Sequence, residues 1–260
     1  MSANLKSLAT TSARDRVSQE EWDVRVDLAA AYQLAAVFRW TDLIYTHFSA
    51  RVPGTDDILI NPYGLMFDEI TASTLVKIDR DGKIKDDPLG MGVNEAGFII
   101  HSCMHEARPE INCVIHTHTR ATVAVSAMKC GLLPISQHAM RVQATVTYHD
   151  YEGIALEMDE RERLARDLGP TAKTMILRNH GLLTLGETVR EAFELMWYLD
   201  CACQIQVDAL AGGMANVQLM SEEAARAAAA QLERPNRPAQ TKDWPALRRL
   251  LDRKGIKYRD

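Results

Sequence analysis

Two histidines alternate with apolar and β-branched residues in the run VIHTHT at 114–119, which places His116 and His118 two residues apart. β-branched residues favour an extended strand, and residues i and i+2 of a strand point to the same face. The sequence therefore predicts a strand at 113–118 on which the two imidazole rings can converge on one point. Because imidazole nitrogen is a ligand of Zn, Fe, Cu and Ni, the pair also predicts a metal site.

A third histidine, His180, lies in the sequence RNHG at 178–181, between two strand-like apolar runs. Its ring would complete a three-nitrogen site with the remaining position open to water or substrate, as a catalytic metal needs. Histidines spaced by one residue also occur on half-buried strands that bind nothing. The setting of His180 between two strands favours the metal site over that alternative.

The composition predicts a soluble globular protein that binds neither nucleic acid nor membrane. The chain has 260 residues, of which 47% are hydrophobic and 25% charged, enough for one large α/β domain. The formal net charge is −5, and no stripe of lysine and arginine indicates nucleic-acid binding. No apolar run reaches the ~18 residues of a membrane span, and no apolar segment near the start indicates a signal peptide. Five cysteines without a C-x-x-C pair indicate reduced thiols and a cytoplasmic location.

The chain divides into an arm, one domain and a tail. Residues 1–17 are polar and predict a flexible N-terminal arm, and Ser18 with Glu21 forms a capping box that opens the first helix. The domain covers 18–232. The proline-containing start of 233–260 predicts a linker, which leads to a C-terminal tail helix.

Hairpins and helices are mixed along the chain, which predicts an α/β or α+β sheet covered by helices. Strands are predicted at 45–52, 58–61, 75–79, 113–118, 145–148, 154–156, 174–177 and 182–185. Helices are predicted at 18–39, 97–107, 119–129, 159–168, 188–211, 224–232 and 244–254.

Four segments together resemble the class II aldolase/adducin family, which includes fuculose-phosphate aldolase and ribulose-phosphate epimerase. They are THFSAR at 46–51, NPYG at 61–64, the stretch 101–118 and NHGL at 179–182, and they agree with the family in order and spacing over roughly residues 20–211. The resemblance implies a three-layer α/β/α sandwich around a mainly antiparallel sheet. It also implies a homotetramer with a divalent metal near a subunit interface.

The resemblance makes His116, His118 and His180 the three metal ligands. The ion is then divalent, with Zn favoured and Mn or Fe as alternatives. In the family's aldolases the metal binds the hydroxyl and carbonyl oxygens of a small-molecule substrate and acts as a Lewis acid that stabilises an enediolate. A nearby carboxylate moves the proton.

The chain departs from the aldolases at the residues that would move the proton and bind phosphate. The aldolase glutamate four residues before His101 is replaced by Gly97, so Glu95 is the candidate base, with a solvated loop glutamate as the alternative. Glu95 also falls where the aldolases have a Ser-Ser phosphate site, and a carboxylate there repels phosphate. The Gly-Asn pair of their first phosphate loop is Thr46-His47 here. A substrate other than a sugar phosphate is therefore expected.

His138 lies where the family has a mobile catalytic tyrosine, and its ordinary pKa of ~6.5 suits proton transfer near neutrality. Its alternative is a polar loop histidine. Further substrate-binding candidates come from the matched strand and loop segments, each with a structural role as the alternative. These candidates are His47, Ser49, Tyr63, Gly64 and Arg120.

These features predict a metal-dependent lyase that is either an aldehyde-lyase or a carboxy-lyase and acts on a small hydroxy or oxo carbonyl compound. Two other functions stay open. The first is a non-enzymatic scaffold of the adducin type, which needs no metal. The second is an Fe(II) oxygenase that uses the same three histidines, because imidazole serves Fe as well as Zn.

Overall fold

The structure is a computed structural model that describes residues 12–153, 158–232 and 242–260. Its centre is an eight-stranded sheet in the order β4-β3-β2-β1-β5-β8-β7-β6, in which β6 and β7 are the parallel pair and all other neighbours are antiparallel. The strands are β1 (His47–Arg51), β2 (Ile58–Ile60), β3 (Val76–Ile78), β4 (Ile84–Asp86), β5 (Cys113–Thr117), β6 (Val146–His149), β7 (Thr174–Leu177) and β8 (Gly181–Gly186).

Helices connect and cover these strands. They are α1 (Gln19–Val37), α2 (Glu95–Ala107), α3 (Arg120–Ser126), α4 (Gln137–Met140), α5 (Met158–Leu168), α6 (Val189–Leu210), α7 (Glu222–Leu232) and α8 (Asp243–Arg253). Short 3₁₀ helices lie at Phe67–Glu69, Gln143–Thr145 and Met214–Asn216. None of the helices in the described ranges is both long and apolar enough to cross a membrane.

The sheet buries a different set of helices on each face. Along β5, Val114 packs in a cluster with Met104 of α2 and Leu164 of α5. Its neighbour Ile115 points the other way and belongs to the core that α1 and α6 cover, since successive strand residues alternate between faces. The resulting three layers, with a mostly antiparallel sheet in the middle, confirm the predicted fold class.

The ends of the chain contact this body. Ala13 is buried and its N–H donates to Ser73 Oγ at 3.0 Å, while Trp244 Nε1 of α8 donates to Asp27 of α1 at 3.1 Å. The division into arm, domain and tail stays a prediction. Residues 1–11, the predicted strand at 154–156 and the linker at 233–241 lie outside the described residues.

A buried tyrosine holds the start of β1, the strand that runs beside the two predicted metal histidines. Tyr32 Oη of α1 accepts a hydrogen bond from Phe48 N–H at 2.7 Å and lies 2.8 Å from Asn61 Oδ1. Its ring stacks on the Phe48 ring with centroids 4.7 Å apart. Because His47 precedes Phe48, this hydroxyl fixes the backbone on which the His47 ring is carried.

We expect Tyr32→Phe to lower the free energy of unfolding by about 1–3 kcal/mol, because it leaves the buried Phe48 N–H and Asn61 Oδ1 without their partner. Urea unfolding followed by circular dichroism measures the change. Tyr45→Phe, at a tyrosine that is 46% exposed, serves as the control and should stay within ~0.5 kcal/mol of the parent. Equal effects at the two tyrosines would show that the hydroxyl of Tyr32 contributes nothing specific.

Candidate metal centre

Three histidines meet at the end of β5. His116 lies on β5, His118 follows the strand by one residue, and His180 immediately precedes β8. The antiparallel pairing of β5 with β8, in which Thr117 is opposite Leu182, brings His180 beside the other two. One ring nitrogen from each histidine lies within 4.8 Å of the others, so the structure brings together the three residues that the sequence singled out.

The hydrogen bonds of two of these rings determine which nitrogen carries the proton. His116 Nδ1 lies 2.9 Å from the Leu182 carbonyl oxygen, and His118 Nδ1 lies 3.0 Å from Asp42 Oδ2. Both oxygens only accept, so each Nδ1 is the protonated atom of its ring. In the neutral form of each ring, Nε2 then carries a lone pair directed away from the Nδ1 partner.

The two Nε2 atoms, of His116 and His118, face each other at 2.8 Å. Two lone pairs at this separation repel unless a proton or a metal cation lies between them. Burial lowers the pKa of His116 well below its ordinary value, with the neighbouring His118 and His180 as the next causes, and this disfavours the proton. The donor set and its geometry therefore fit a divalent cation.

His180 also favours the neutral form that binds metal. Burial, followed by the nearby His118, lowers the pKa of His180 to about 4. Only neutral imidazole can donate a lone pair to a metal, so the site is ready to bind one at neutral pH without first releasing a proton from this ring.

Backbone conformation explains the sequence around His180. Asn179 has φ of 57°, in the left-handed region that asparagine tolerates better than most residues. A Cβ atom on Gly181 would lie 2.5 Å from the Thr117 carbonyl oxygen and 2.9 Å from His118 Cδ2. Glycine is therefore needed for β8 to approach β5 closely enough to bring His180 to the site.

The carboxylate that orients His118 comes from a strained loop. Asp42 lies within residues 39–46, in which Arg39, Leu43 and Thr46 all have positive φ, at 61°, 50° and 70°. Such conformations are unfavourable for residues with a side chain and are found where the surrounding structure enforces them, often at functional sites. The strain is consistent with a loop that is held in place to present Asp42 to His118.

A second carboxylate, Asp200 of α6, binds two segments near His118: the one that contains Trp40 and the one that begins at Thr119. Trp40 Nε1 donates to its Oδ2 at 2.9 Å, and Thr119 Oγ1 donates to its Oδ1 at 2.6 Å. Thr119 is also the N-cap of α3. Burial raises the pKa of Asp200, partly offset by these hydrogen bonds and by one from Gln204. Asp200 thereby joins the Asp42 loop to the turn that follows His118.

A fourth histidine, His47 of β1, lies next to the cluster. Its ring stacks on that of His116 with centroids 6.0 Å apart, as expected from their pairing across β1 and β5. Burial lowers the pKa of His47 to about 3, followed by the effects of His118 and His180. The structure thus places His47, predicted to bind substrate, at the edge of the three-histidine cluster.

Ser49, the next predicted residue on the same face of β1, lies in a buried network behind His47. Its Oγ is 2.7 Å from His101 Nδ1 and 2.9 Å from His105 Nε2, both on α2. His105 Nδ1 contacts the Ile111 carbonyl oxygen at 3.3 Å. Burial lowers the pKa of His101 well below its ordinary value and that of His105 to about 3, so both rings are neutral.

The remaining predicted site residues lie elsewhere on the surface, and no described contact joins them to the three histidines. Glu95 is exposed at the first position of α2, and Arg120 is exposed at the first position of α3. His138 of α4 lies with its ring 5.9 Å from that of Tyr198. Tyr63 and Gly64 form the turn after β2, where Gly64 has φ of 120°. Their roles stay predictions.

Three residues near the site were not predicted to act there. Asp42 and Asp200 contact the site from positions far away in sequence, and the one signal for Asp200 is a carboxylate in the apolar sequence of α6. Tyr151, which is 56% exposed, lies with its ring 6.5 Å from that of His180. It reaches the site through the loop after β6.

The sheet and its two helical layers have the class II aldolase fold, and the three histidines form a cluster that could hold a metal ion. The family described as the Class II Aldolase and Adducin N-terminal domain matches residues 26–207. The chain therefore belongs to the class II aldolase and adducin family, as its sequence motifs predicted.

Solved structures and curated relatives agree with this assignment. A crystal structure of an aldolase II superfamily protein from Pseudomonas syringae is 55% identical, with a TM-score of 0.91 over 96% of this chain and 100% of that one. An L-fuculose 1-phosphate aldolase from Glaciozyma antarctica is 27% identical, with a TM-score of 0.81 over 93% of each chain. Alpha-adducin of Rattus norvegicus is 48% identical over 201 residues, which cover 76% of this chain and 27% of that protein.

The buried neutral histidines predict that the metal-free protein loses stability in acid. In the unfolded chain each has a pKa near ~6.5, whereas in the folded chain the pKa is about 3 for His47 and His105 and about 4 for His180. The stability that these neutral histidines contribute is therefore fully present above the unfolded-state pKa of ~6.5. It is lost as the pH falls from ~6.5 toward the pKa values of the folded chain. We expect each of these histidines to remove about 1.4 kcal/mol per pH unit between about pH 6 and 4.

Urea unfolding of the EDTA-treated protein between pH 7.5 and 4 measures this dependence. His105→Gln should reduce the acid slope by about one proton, because that side chain no longer titrates on unfolding. The substitution His138→Gln is the control, because it removes a histidine that is not fully buried. An unchanged slope in the His105→Gln protein would contradict the prediction.

Proposed function

We propose that this chain is a divalent-metal-dependent lyase, of the aldehyde-lyase or carboxy-lyase type, that acts on a small hydroxy or oxo carbonyl compound. The observation that supports it most is the pair of Nε2 atoms of His116 and His118, which face each other at 2.8 Å beside His180. Membership of the class II aldolase and adducin family supports a lyase in general. Zn is the favoured ion, with Mn or Fe as alternatives.

The three histidines would hold the ion, and the chain's other residues fix their geometry. When bound, a divalent ion supplies Lewis-acid polarisation of a substrate carbonyl or carboxylate. Asp42 orients His118 through Nδ1, and the Leu182 carbonyl oxygen orients His116 in the same way. Such partners fix the tautomer and raise the basicity of a ligating imidazole.

A non-phosphorylated substrate follows from the residues that differ from the aldolases. Glu95, at the start of α2, carries a negative charge where the aldolases bind phosphate, and it would repel that group. His47 is buried and neutral, so it offers no positive charge to a phosphate either. We propose Tyr63, Gly64 and Arg120 as further substrate contacts.

The residues that we propose for proton transfer have no described contact with the three histidines. In an aldol-type cleavage a base takes the proton of the β-hydroxyl, the Cα–Cβ bond breaks, and the electron pair remains on the fragment that carries the carbonyl. We propose Glu95 or His138 as the group that moves the proton. Homotetrameric assembly and a cytoplasmic location complete the proposal.

The second candidate function is an adducin-type scaffold, favoured by the 48% identity to alpha-adducin. The chain spans only about a quarter of that protein, so the match concerns one domain. A scaffold requires neither metal nor a polarised carbonyl. Metal binding at the three histidines therefore separates the two functions.

We expect the purified protein to hold about one divalent ion per chain and His116→Ala/His118→Ala to hold none, because two of three ligands are lost. Elemental analysis after loading with Zn, Mn or anaerobic Fe(II) measures this. His105→Gln, which removes a buried imidazole that is not in the cluster, should keep the metal. A parent protein without metal would sink the lyase proposal and favour the scaffold.

Catalytic competence can be tested without the natural substrate. In D2O, the metal-loaded protein should exchange the hydroxymethyl hydrogens of dihydroxyacetone for deuterium, as NMR would show, because a polarised carbonyl acidifies the neighbouring C–H bond. Exchange should disappear in His116→Ala/His118→Ala and should be slower with dihydroxyacetone phosphate. A metal-loaded protein that exchanges neither compound would contradict the lyase proposal while leaving metal binding intact.

Asp42 should control metal affinity without contacting the ion. We expect Asp42→Ala to weaken Zn binding by about 10- to 100-fold, the effect that removal of such an orienting carboxylate usually has. Competition with a chromophoric chelator measures the affinity. Asp81→Ala, on a turn where the side chain is 85% exposed, is the matched control and should bind Zn as the parent does.

A further inference from the structure

His47 has two polar atoms that nothing satisfies. The residue is 7% exposed, and neither Nδ1 nor Nε2 has a hydrogen-bond partner among the residues that the structure describes. Buried polar groups in folded proteins are nearly always hydrogen-bonded, and an exception calls for a specific explanation. A neutral imidazole offers one N–H donor and one lone pair, so His47 holds an unused donor and an unused acceptor.

Neither neighbouring imidazole forms a hydrogen bond with His47 in the structure, and neither has a free N–H to donate to it. His116 uses its Nδ1–H on the Leu182 carbonyl oxygen. His101, whose ring meets that of His47 edge-on with centroids 5.6 Å apart, shares a hydrogen bond with Ser49 Oγ through Nδ1. The other nitrogen of His101, Nε2, is likewise without a partner.

The Ser49 network explains why His101 offers only a lone pair. His105 Nδ1 contacts the Ile111 carbonyl oxygen, so Nδ1 carries the proton and Nε2 accepts from the Ser49 hydroxyl. The Ser49 oxygen is then free to accept the proton of His101 Nδ1. His101 Nε2 is left as an acceptor, and His47 faces no free donor from either ring.

The position of the His47 ring requires that residue 97 have no side chain. A Cβ atom built on Gly97 would lie 2.6 Å from both Nε2 and Cδ2 of His47, closer than real Cβ contacts allow. Glycine inside a helix is otherwise unfavourable, so its presence in the first turns of α2 has a steric reason here. The His47 ring therefore occupies the space that any side chain at position 97 would take.

We propose that His47 is a specificity-determining residue of the metal pocket, which binds a hydroxyl group of a small α-hydroxy carbonyl or α-hydroxy acid ligand held at His116, His118 and His180. The inference rests on the proposed function, because it requires a ligand at the metal. A hydroxyl can both donate and accept, so it can pair with whichever His47 nitrogen faces the ligand, accepting from the N–H or donating to the unprotonated nitrogen. Phosphate and carboxylate oxygens without protons only accept, so they can pair with the N–H alone.

The test uses the full chain loaded with Co(II), whose visible absorption reports ligand binding at the metal. The ligand probes are glycolate, which carries a hydroxyl beside its carboxylate, and acetate, which lacks the hydroxyl. The main variant is His47→Phe, which keeps a ring over Gly97 but removes both nitrogens. His47→Asn restores a donor and an acceptor, and circular dichroism confirms folding of each variant.

We expect His47→Phe to bind Co(II) with the parent's stoichiometry and acetate with the parent's affinity, but glycolate about tenfold more weakly. His47→Asn should recover part of the glycolate affinity. Gly97→Ala should also weaken glycolate binding, because the added methyl group displaces the His47 ring. In the His47→Phe background Gly97→Ala should cause no further loss of glycolate affinity, since the hydrogen bonds are already absent.

The outcomes separate the inference from the function on which it rests. A protein that binds no Co(II) overturns the proposed function and this inference together. A protein that binds Co(II) and glycolate, but in which His47→Phe changes neither the glycolate affinity nor its ratio to acetate, overturns the inference alone. Additive losses from His47→Phe and Gly97→Ala would likewise overturn it, because they would show that position 97 affects the ligand independently of His47.

Discussion

The antiparallel pairing of β5 with β8 is the constraint on which the three-histidine cluster depends. It places His180, which immediately precedes β8, beside His116 of β5 and His118, which follows that strand. A slip of one residue in this register would turn one of these histidines to the opposite face of the sheet, toward the core that α1 and α6 cover. Gly181 has no side chain and so permits the close approach of the two strands. This approach determines the geometry of the three histidines.

The parts of the molecule that follow from local pattern were predictable from sequence. Alternation in β5 identified both the strand and the pair of histidines, and the capping residue Ser18 identified the start of α1, where its side chain accepts from Glu21 N–H. Boundaries moved by a few residues: the helix predicted at 97–107 begins at Glu95. Local pattern sufficed in these cases because periodicity and capping are properties of neighbouring residues.

The contacts that support the histidines could not be predicted in this way. Asp42 reaches His118 across 76 positions, and Asp200 reaches Thr119 across 81, so neither leaves a signal in the residues around it. Gly97 looked like a simple loss of the aldolase glutamate. In the structure its missing side chain makes room for His47 from β1, and the space is filled by an imidazole that arrives from another element. Only the three-dimensional arrangement shows that Gly97 and the His47 ring depend on the same space.

The distribution of unfavourable groups bears on whether this domain is an enzyme or a scaffold. Left-handed residues at 39, 43 and 46, the facing Nε2 atoms of His116 and His118, and an unpartnered buried imidazole all lie at one end of β1 and β5. Each feature lowers the stability of the folded chain, and a domain that served only as a scaffold would be more stable without them. A cation at the cluster would separate the facing Nε2 atoms of His116 and His118 electrostatically, and the proposed ligand hydroxyl would give His47 a hydrogen-bond partner. Two of these three unfavourable features would thus become favourable with a ligand bound, which is the arrangement expected of a binding centre.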